Sequence, residues 1–214
     1  GSAGQGLRLG AAVLMDAVDC QGFAGGFTLG VVQAGFNLAG KREMRGGFGV
    51  ANCEANRHLL GWDWKAEVCD SDDWTPVDVP FVFGNPPCSG FSLLSSKEFR
   101  GIDSPVNACM WSFIEYAAKC RPEIAMFESV QQAYRQGRPL MQRLRDRLEE
   151  LTGDRYELIH LLHNAASVGG AAIRSRYFAT FSKIPFGIER PELTRLPRVQ
   201  DVIGDLAQIA DAER

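Results

Sequence analysis

VPFVFGNPPCSGFS, residues 79–92, opens on an apolar run and closes on a framed cysteine. A run that is apolar at every position suits a strand buried on both faces. Such strands belong to parallel sheets covered by helices. Pro86 and Pro87 fix φ and remove backbone donors, so the loop after the strand is stiff. Gly84 and Gly90 allow close backbone approach. Most free cysteines are small buried hydrophobes, and Cys20, Cys53, Cys69, Cys109 and Cys120 read that way. Cys88 does not. A helix starting just after it would lower the thiol pKa and favour the nucleophilic thiolate.

Working outward, apolar runs alternate with longer helical ones. Strands are expected at 11–19, 36–43, 66–70, 79–85, 123–129, 156–163 and 177–183. Helices are expected at 28–35, 52–61, 104–120 and 139–151, the first ending on Gly35 and the third opening on Ser104-Pro105. This alternation predicts an α/β fold with a mainly parallel sheet and helices on both faces. Residues 1–10 read as a flexible N-terminus and 11–185 as one folded domain. Residues 186–214, rich in proline and charge, read as a linker toward a further domain.

The chain has 214 residues, 45% hydrophobic and 23% charged, as ordinary globular proteins do. No apolar run reaches membrane-span length, and no signal peptide is visible, so a cytoplasmic setting is expected. Six cysteines without a CxxC pair fit a reducing compartment. His160 and His163 lack a Cys or carboxylate cluster, so no metal site is expected. Charge is uneven: −4 over residues 1–120, +4 over 121–200 and −3 over the last fourteen. The basic second half suits phosphate contacts, or simply a solvated helix face bearing Arg143, Arg145 and Arg147.

In such folds, ligands gather at the carboxyl ends of the strands. VDCQGFAGGFTLG (18–30) is strand, glycine-rich turn, helix. Glu43 ends the next strand about where an acid can accept hydrogen bonds from ribose hydroxyls. Glu128 ends another strand in MFES. Partial desolvation would raise its pKa toward neutrality. In IRSRYF, Arg174 and Arg176 share one face of an extended segment and could hold a carbonyl, carboxylate or phosphate.

Taken together and in this order, these residues resemble the cytosine-5 DNA methyltransferase family, over roughly residues 11–207. PPCSGFS resembles the family's nucleophile loop, FESV its Glu-Asn-Val motif, and IRSRYF its Arg-x-Arg motif. PRVQDVIGDL resembles the segment leading to target recognition. Phage members look especially similar. The resemblance implies a Rossmann-like fold, S-adenosylmethionine as methyl donor, and double-stranded DNA as partner. It implies Cys88, Glu128, Arg174 and Arg176 as catalytic residues. It implies a donor site at Asp19, Gly22, Phe23, Gly25, Gly26, Glu43, Asp70, Asp73 and Pro87. Three departures stand out. Gln21 and Phe23 replace the family's phenylalanine and first glycine, Ser129 replaces its asparagine, and the chain ends where target recognition would begin. A missing C-terminal part or a separate chain would then supply that domain. The altered loop leaves open tRNA cytosine methylation, transfer of a modified alkyl group, or a non-catalytic DNA-binding homologue.

Overall fold

The computed structural model describes residues 15–60, 66–170, 172–185, 187 and 198. The expected flexible N-terminus, the start of the first strand and nearly all of the linker after 185 lie outside these residues. The elements are β1 (Asp16–Cys20), α1 (Gly26–Gln33), β2 (Asn37–Met44), α2 (Phe48–Leu60), β3 (Ala66–Cys69) and β4 (Phe81–Gly84). They continue with α3 (Ala108–Cys120), β5 (Ile124–Val130), α4 (Gln131–Gln136), α5 (Arg138–Thr152), β6 (Glu157–Asn164) and β7 (Ser175–Ser182). Each expected helix and strand therefore has its counterpart.

Seven strands form one sheet in the order β3-β2-β1-β4-β5-β7-β6. The pairs from β3 to β5 are parallel. β7 runs against both β5 and β6, so the sheet is mixed. That reversal was invisible in the apolar pattern of 177–183, because an apolar strand reads alike in either direction.

Period-two alternation sends neighbouring side chains to opposite faces. In β4, Val82 joins one core while Phe81 and Phe83 join the other. In β5, Ala125 and Phe127 go one way, Ile124 and Met126 the other. The larger core packs against α3 through Met110, Phe113 and Ile114, and against α5 through Leu140, Met141, Leu144 and Leu148. The smaller one packs against α1 through Phe27 and Val31. Burial of both faces explains why β4 and the first four residues of β5, Ile124 to Phe127, are apolar at every position.

Sheet order reverses at β1, which pairs with β2 on one side and β4 on the other. Loops leaving β1 and β4 must diverge there, and the crevice between them is the natural ligand position. The closeness is tight. A Cβ on Gly84 would collide with the Cys20 carbonyl. Here glycine is required by backbone approach, not by φ.

Candidate active site

Cys88 follows β4 after Asn85, buried Pro86 and exposed Pro87. Only one 3₁₀ turn, Ser89–Phe91, comes next. This corrects the expected helix start. Three residues supply too little aligned dipole to favour a thiolate. The half-buried Cys88 thiol is pushed up by burial and then by the Glu128 charge. Backbone N–H groups of Val130 and of Cys88 itself, and the Arg174 charge, oppose this without prevailing.

Glu128 lies within β5, two residues before its end. One oxygen, Oε2, accepts a 2.5 Å hydrogen bond from Asn85 Nδ2. The other, Oε1, lies 2.5 Å from Arg176 Nε. Burial pushes the carboxyl up to about 7, against the Asn85 amide and the Arg174 charge. Arg176 favours the ionised form as well, by proximity.

Arg176 reaches Glu128 because β7 is antiparallel. Its first residues lie beside the last of β5, with Arg176 opposite Val130. Arg174 differs from the expectation of a pair on one extended face. It precedes β7 and is exposed. A cleft of about 340 Å³ opens beside this group, lined by Phe91, Ser92, Val130, Gln131 and Arg176. A larger cleft of about 540 Å³ lies at the far end of the sheet, beside Tyr156 and Lys183, and includes none of these residues.

On the other side of the crevice runs the loop 21–25. Gln21 and Phe23 hold positive φ values of 63° and 49°, and Gly25 one of 80°. Gln21 is buried. Its N–H donates to the Arg42 carbonyl at 2.7 Å and its amide to the Cys109 carbonyl at 3.0 Å. Its side chain therefore belongs to the scaffold. Phe23 is 49% exposed, and its N–H donates to Glu43 Oε1 at 3.1 Å.

Glu43 is buried within β2, which runs one residue further. Burial lifts its carboxyl to about 7; the Lys41 charge pulls it down and the Asp19 charge adds to the rise. Asp19 is wholly buried, accepts from Thr28 Oγ1 at 2.5 Å and forms an ion pair with Lys41. Lys41 Nζ also lies 3.8 Å from Glu43 Oε1. Gly22 rests against this pair, since a Cβ there would strike Asp19 and Lys41. Gly26 begins α1, whose N-terminus has no side-chain cap. Pro87, Asp70 and Asp73 are exposed, the latter two near the 3₁₀ turn Ser71–Asp73 after β3.

Sequence reasoning missed Lys41 and Asn85. The run Lys41-Arg42-Glu43 inside an expected strand was a usable signal, because adjacent charges in a buried strand need partners. Asn85 carried no comparable signal; a polar residue after a strand is ordinary turn chemistry.

The family model for C-5 cytosine-specific DNA methylases matches residues 15–211. The chain belongs to that family. A curated relative, the type II methyltransferase M.XorII of Xanthomonas oryzae pv. oryzae, is 28% identical over 211 residues. That match covers 92% of this chain and 46% of the relative. Among solved structures, a putative DNA modification methyltransferase encoded within an E. coli prophage superposes with a TM-score of 0.65 at 19% identity. That match covers 88% of this chain and 54% of the other. The Entamoeba histolytica methyltransferase EhMeth gives 0.60 at 13% identity, over 86% of this chain and 57% of the other. These likenesses establish the Rossmann-like methyltransferase fold. The chain spans about half the length of these relatives.

Proposed function

We propose that this chain carries the catalytic centre of a DNA cytosine-5 methyltransferase that uses S-adenosylmethionine. The observation that carries the reading is the meeting of Cys88, Glu128 and Arg176, from three separate segments, beside the switch-point crevice.

The residue types answer the chemistry. C5 of cytosine is too weak a nucleophile to be methylated directly. A Cys88 thiolate adding to C6 makes C5 enamine-like. Protonation of N3 by Glu128 takes up the electron pair that this addition pushes into the ring. Arg176, with Arg174 nearby, holds the base carbonyl and stabilises charge there. Once bound, S-adenosylmethionine supplies the electrophilic methyl group. A base then removes the C5 proton, and the C6–sulfur bond breaks to return the thiolate. A stacked base cannot reach Cys88, so the target nucleotide must be flipped out of the duplex.

The electrostatics suit this sequence. Charges on Cys88 and Glu128 oppose each other, so a protonated Glu128 makes the thiolate easier to form. Nucleophile and acid are then ready in the same ionisation state.

The donor side fits as well. Glu43 is a buried carboxylate with an unfavourable charge, which a ribose diol would relieve by donating to it. The uncapped N-terminus of α1 suits an amino-acid carboxylate. Phe23, exposed, is the ring available for an adenine face, a contact Gln21 does not offer. Gly22, Gly25 and Gly26 shape the loop. Asp19 with Lys41 holds it from behind, and the exposed Asp70, Asp73 and Pro87 are assigned to the donor site by the resemblance. Duplex DNA is the proposed partner. Target selection is assigned to protein outside these residues.

The test is trapping. Full-length protein, S-adenosylmethionine and DNA containing 5-fluorocytosine should give a covalent adduct at Cys88, because the C5 fluorine blocks release. Cys88→Ala should give neither adduct nor methylated DNA. An absent adduct with wild-type protein, or methylation by Cys88→Ala, sinks the proposal. Adduct on tRNA and not on DNA would reassign the substrate.

A further inference from the structure

We propose that Asn85 is a positioning residue: its amide holds the Glu128 carboxylate, and its peptide N–H anchors that hold to the loop carrying Gln21. The inference rests on the reading of Glu128 as the proton donor.

β5 lies between β4 and β7. Glu128 is gripped from both flanks. Asn85, just past β4, takes Oε2, and Arg176 of β7 takes Oε1. Two donors on two oxygens fix the carboxylate plane, which one donor would leave free to swing.

Asn85 is itself held. Its N–H donates to the Gln21 carbonyl at 3.1 Å. Gln21 is tied in turn to Arg42 and Cys109. Gly84 before it can bear no side chain, and Pro86 after it restricts Asn85 to extended backbone. The side-chain direction follows from these constraints. One bonded path therefore runs from β2 through the β1 loop to the acid.

An amide suits the task better than a second cation would. It donates through Nδ2 to a carboxylate, and after rotating it accepts through Oδ1 from a protonated carboxyl. It can therefore serve Glu128 before and after proton transfer. The charged or titratable groups facing Glu128 are Arg176 from β7, Arg174 before β7, and the Cys88 thiol beyond β4.

A plain turn role for Asn85 makes a different prediction, so the readout is the acid itself. In full-length protein labelled with carboxyl-13C glutamate, the Glu128 resonance is the one lost in Glu128→Gln. Its titration midpoint should rise by about one pH unit in Asn85→Ala, since a hydrogen bond to the charged form is lost. Asn85→Asp keeps the shape, removes the donors and adds a like charge, so its rise should be larger. For methyl transfer, kcat should fall about 10–100-fold while KM for DNA stays put. Midpoints unchanged in both variants overturn the inference, and Asn85→Asp guards against a folding defect in Asn85→Ala. The reading beneath it fails separately, if Glu128→Gln methylates DNA at the wild-type rate.

Discussion

Glu43→Gln should stabilise the unliganded protein at alkaline pH while weakening its hold on the methyl donor. Glu43 is 4% exposed, and burial raises its carboxyl from 4.5 to about 7. A raised carboxyl pKa means the folded state binds the proton more tightly than the unfolded state. The stabilisation is complete below the unfolded pKa and is lost as pH rises through the folded one. A shift of this size corresponds to about 3 kcal/mol, of which about 2.5 kcal/mol is lost between about pH 5 and pH 8. Glutamine cannot titrate, so the variant should escape that loss. Its advantage over wild type should therefore grow by about 2–3 kcal/mol across that interval. Glu128 contributes its own pH dependence, but equally to both proteins. Lys41 keeps its Asp19 partner in either case. The assay is urea unfolding at several pH values, followed by tryptophan fluorescence. Trp74 is a built-in reporter, buried and donating to the Glu43 carbonyl at 3.3 Å. Calorimetry with S-adenosylmethionine completes the test, with affinity expected to fall about tenfold or more for one lost charged hydrogen-bond acceptor. Parallel stability–pH curves for variant and wild type would refute the electrostatic account. Undiminished donor affinity would refute the ribose assignment.

Two other substitutions probe the crevice. Phe23→Ala should change unfolding stability by only about 0.5 kcal/mol, because the ring is half exposed, yet lower donor affinity about tenfold in calorimetry if that ring carries a stacking contact. Gly84→Ala should destabilise by roughly 4 kcal/mol or more, visible as a collapsed melting temperature, because the added Cβ meets backbone that cannot move aside.

The Lys41–Asp19 pair shows why burial matters to such outcomes. Both are nearly inaccessible, and Thr28 completes the Asp19 oxygen. Removing one partner from a buried pair costs about 3–5 kcal/mol through the charge left behind. Under the proposed function, these two residues bear on activity through the loop they support.

Much was legible in the residues alone. Apolar runs in β4 and at the start of β5 declared strands covered on both faces, and the helical spacing of 28–35, 104–120 and 139–151 declared helices that cover them. PPCSGFS, FESV and IRSRYF named the candidate chemistry, because rare residues in a stiff or strand-end setting are local signals. Interactions between distant segments left no such mark. The thiol of Cys88 is raised by burial and by Glu128, a residue 40 positions away, whereas local reading put a helix start there. Gln21 stood out only as a departure from the family's loop, and tertiary packing makes it a brace between β2 and α3.

The sequence by itself thus determined the seven strands, four of the helices, the family resemblance and the candidate reactive groups; the short α4 went unread. Those follow from periodicity and from short motifs. Only the tertiary structure decided how the groups meet. β7 runs antiparallel, so its first residues, not its last, come beside the end of β5 and deliver Arg176 to Glu128. Sheet reversal at β1 brings Gln21 against Asn85, and Asn85 onto the other oxygen of the same carboxylate. Strand direction and sheet order are set by packing across the whole chain, and no single stretch of residues encodes them.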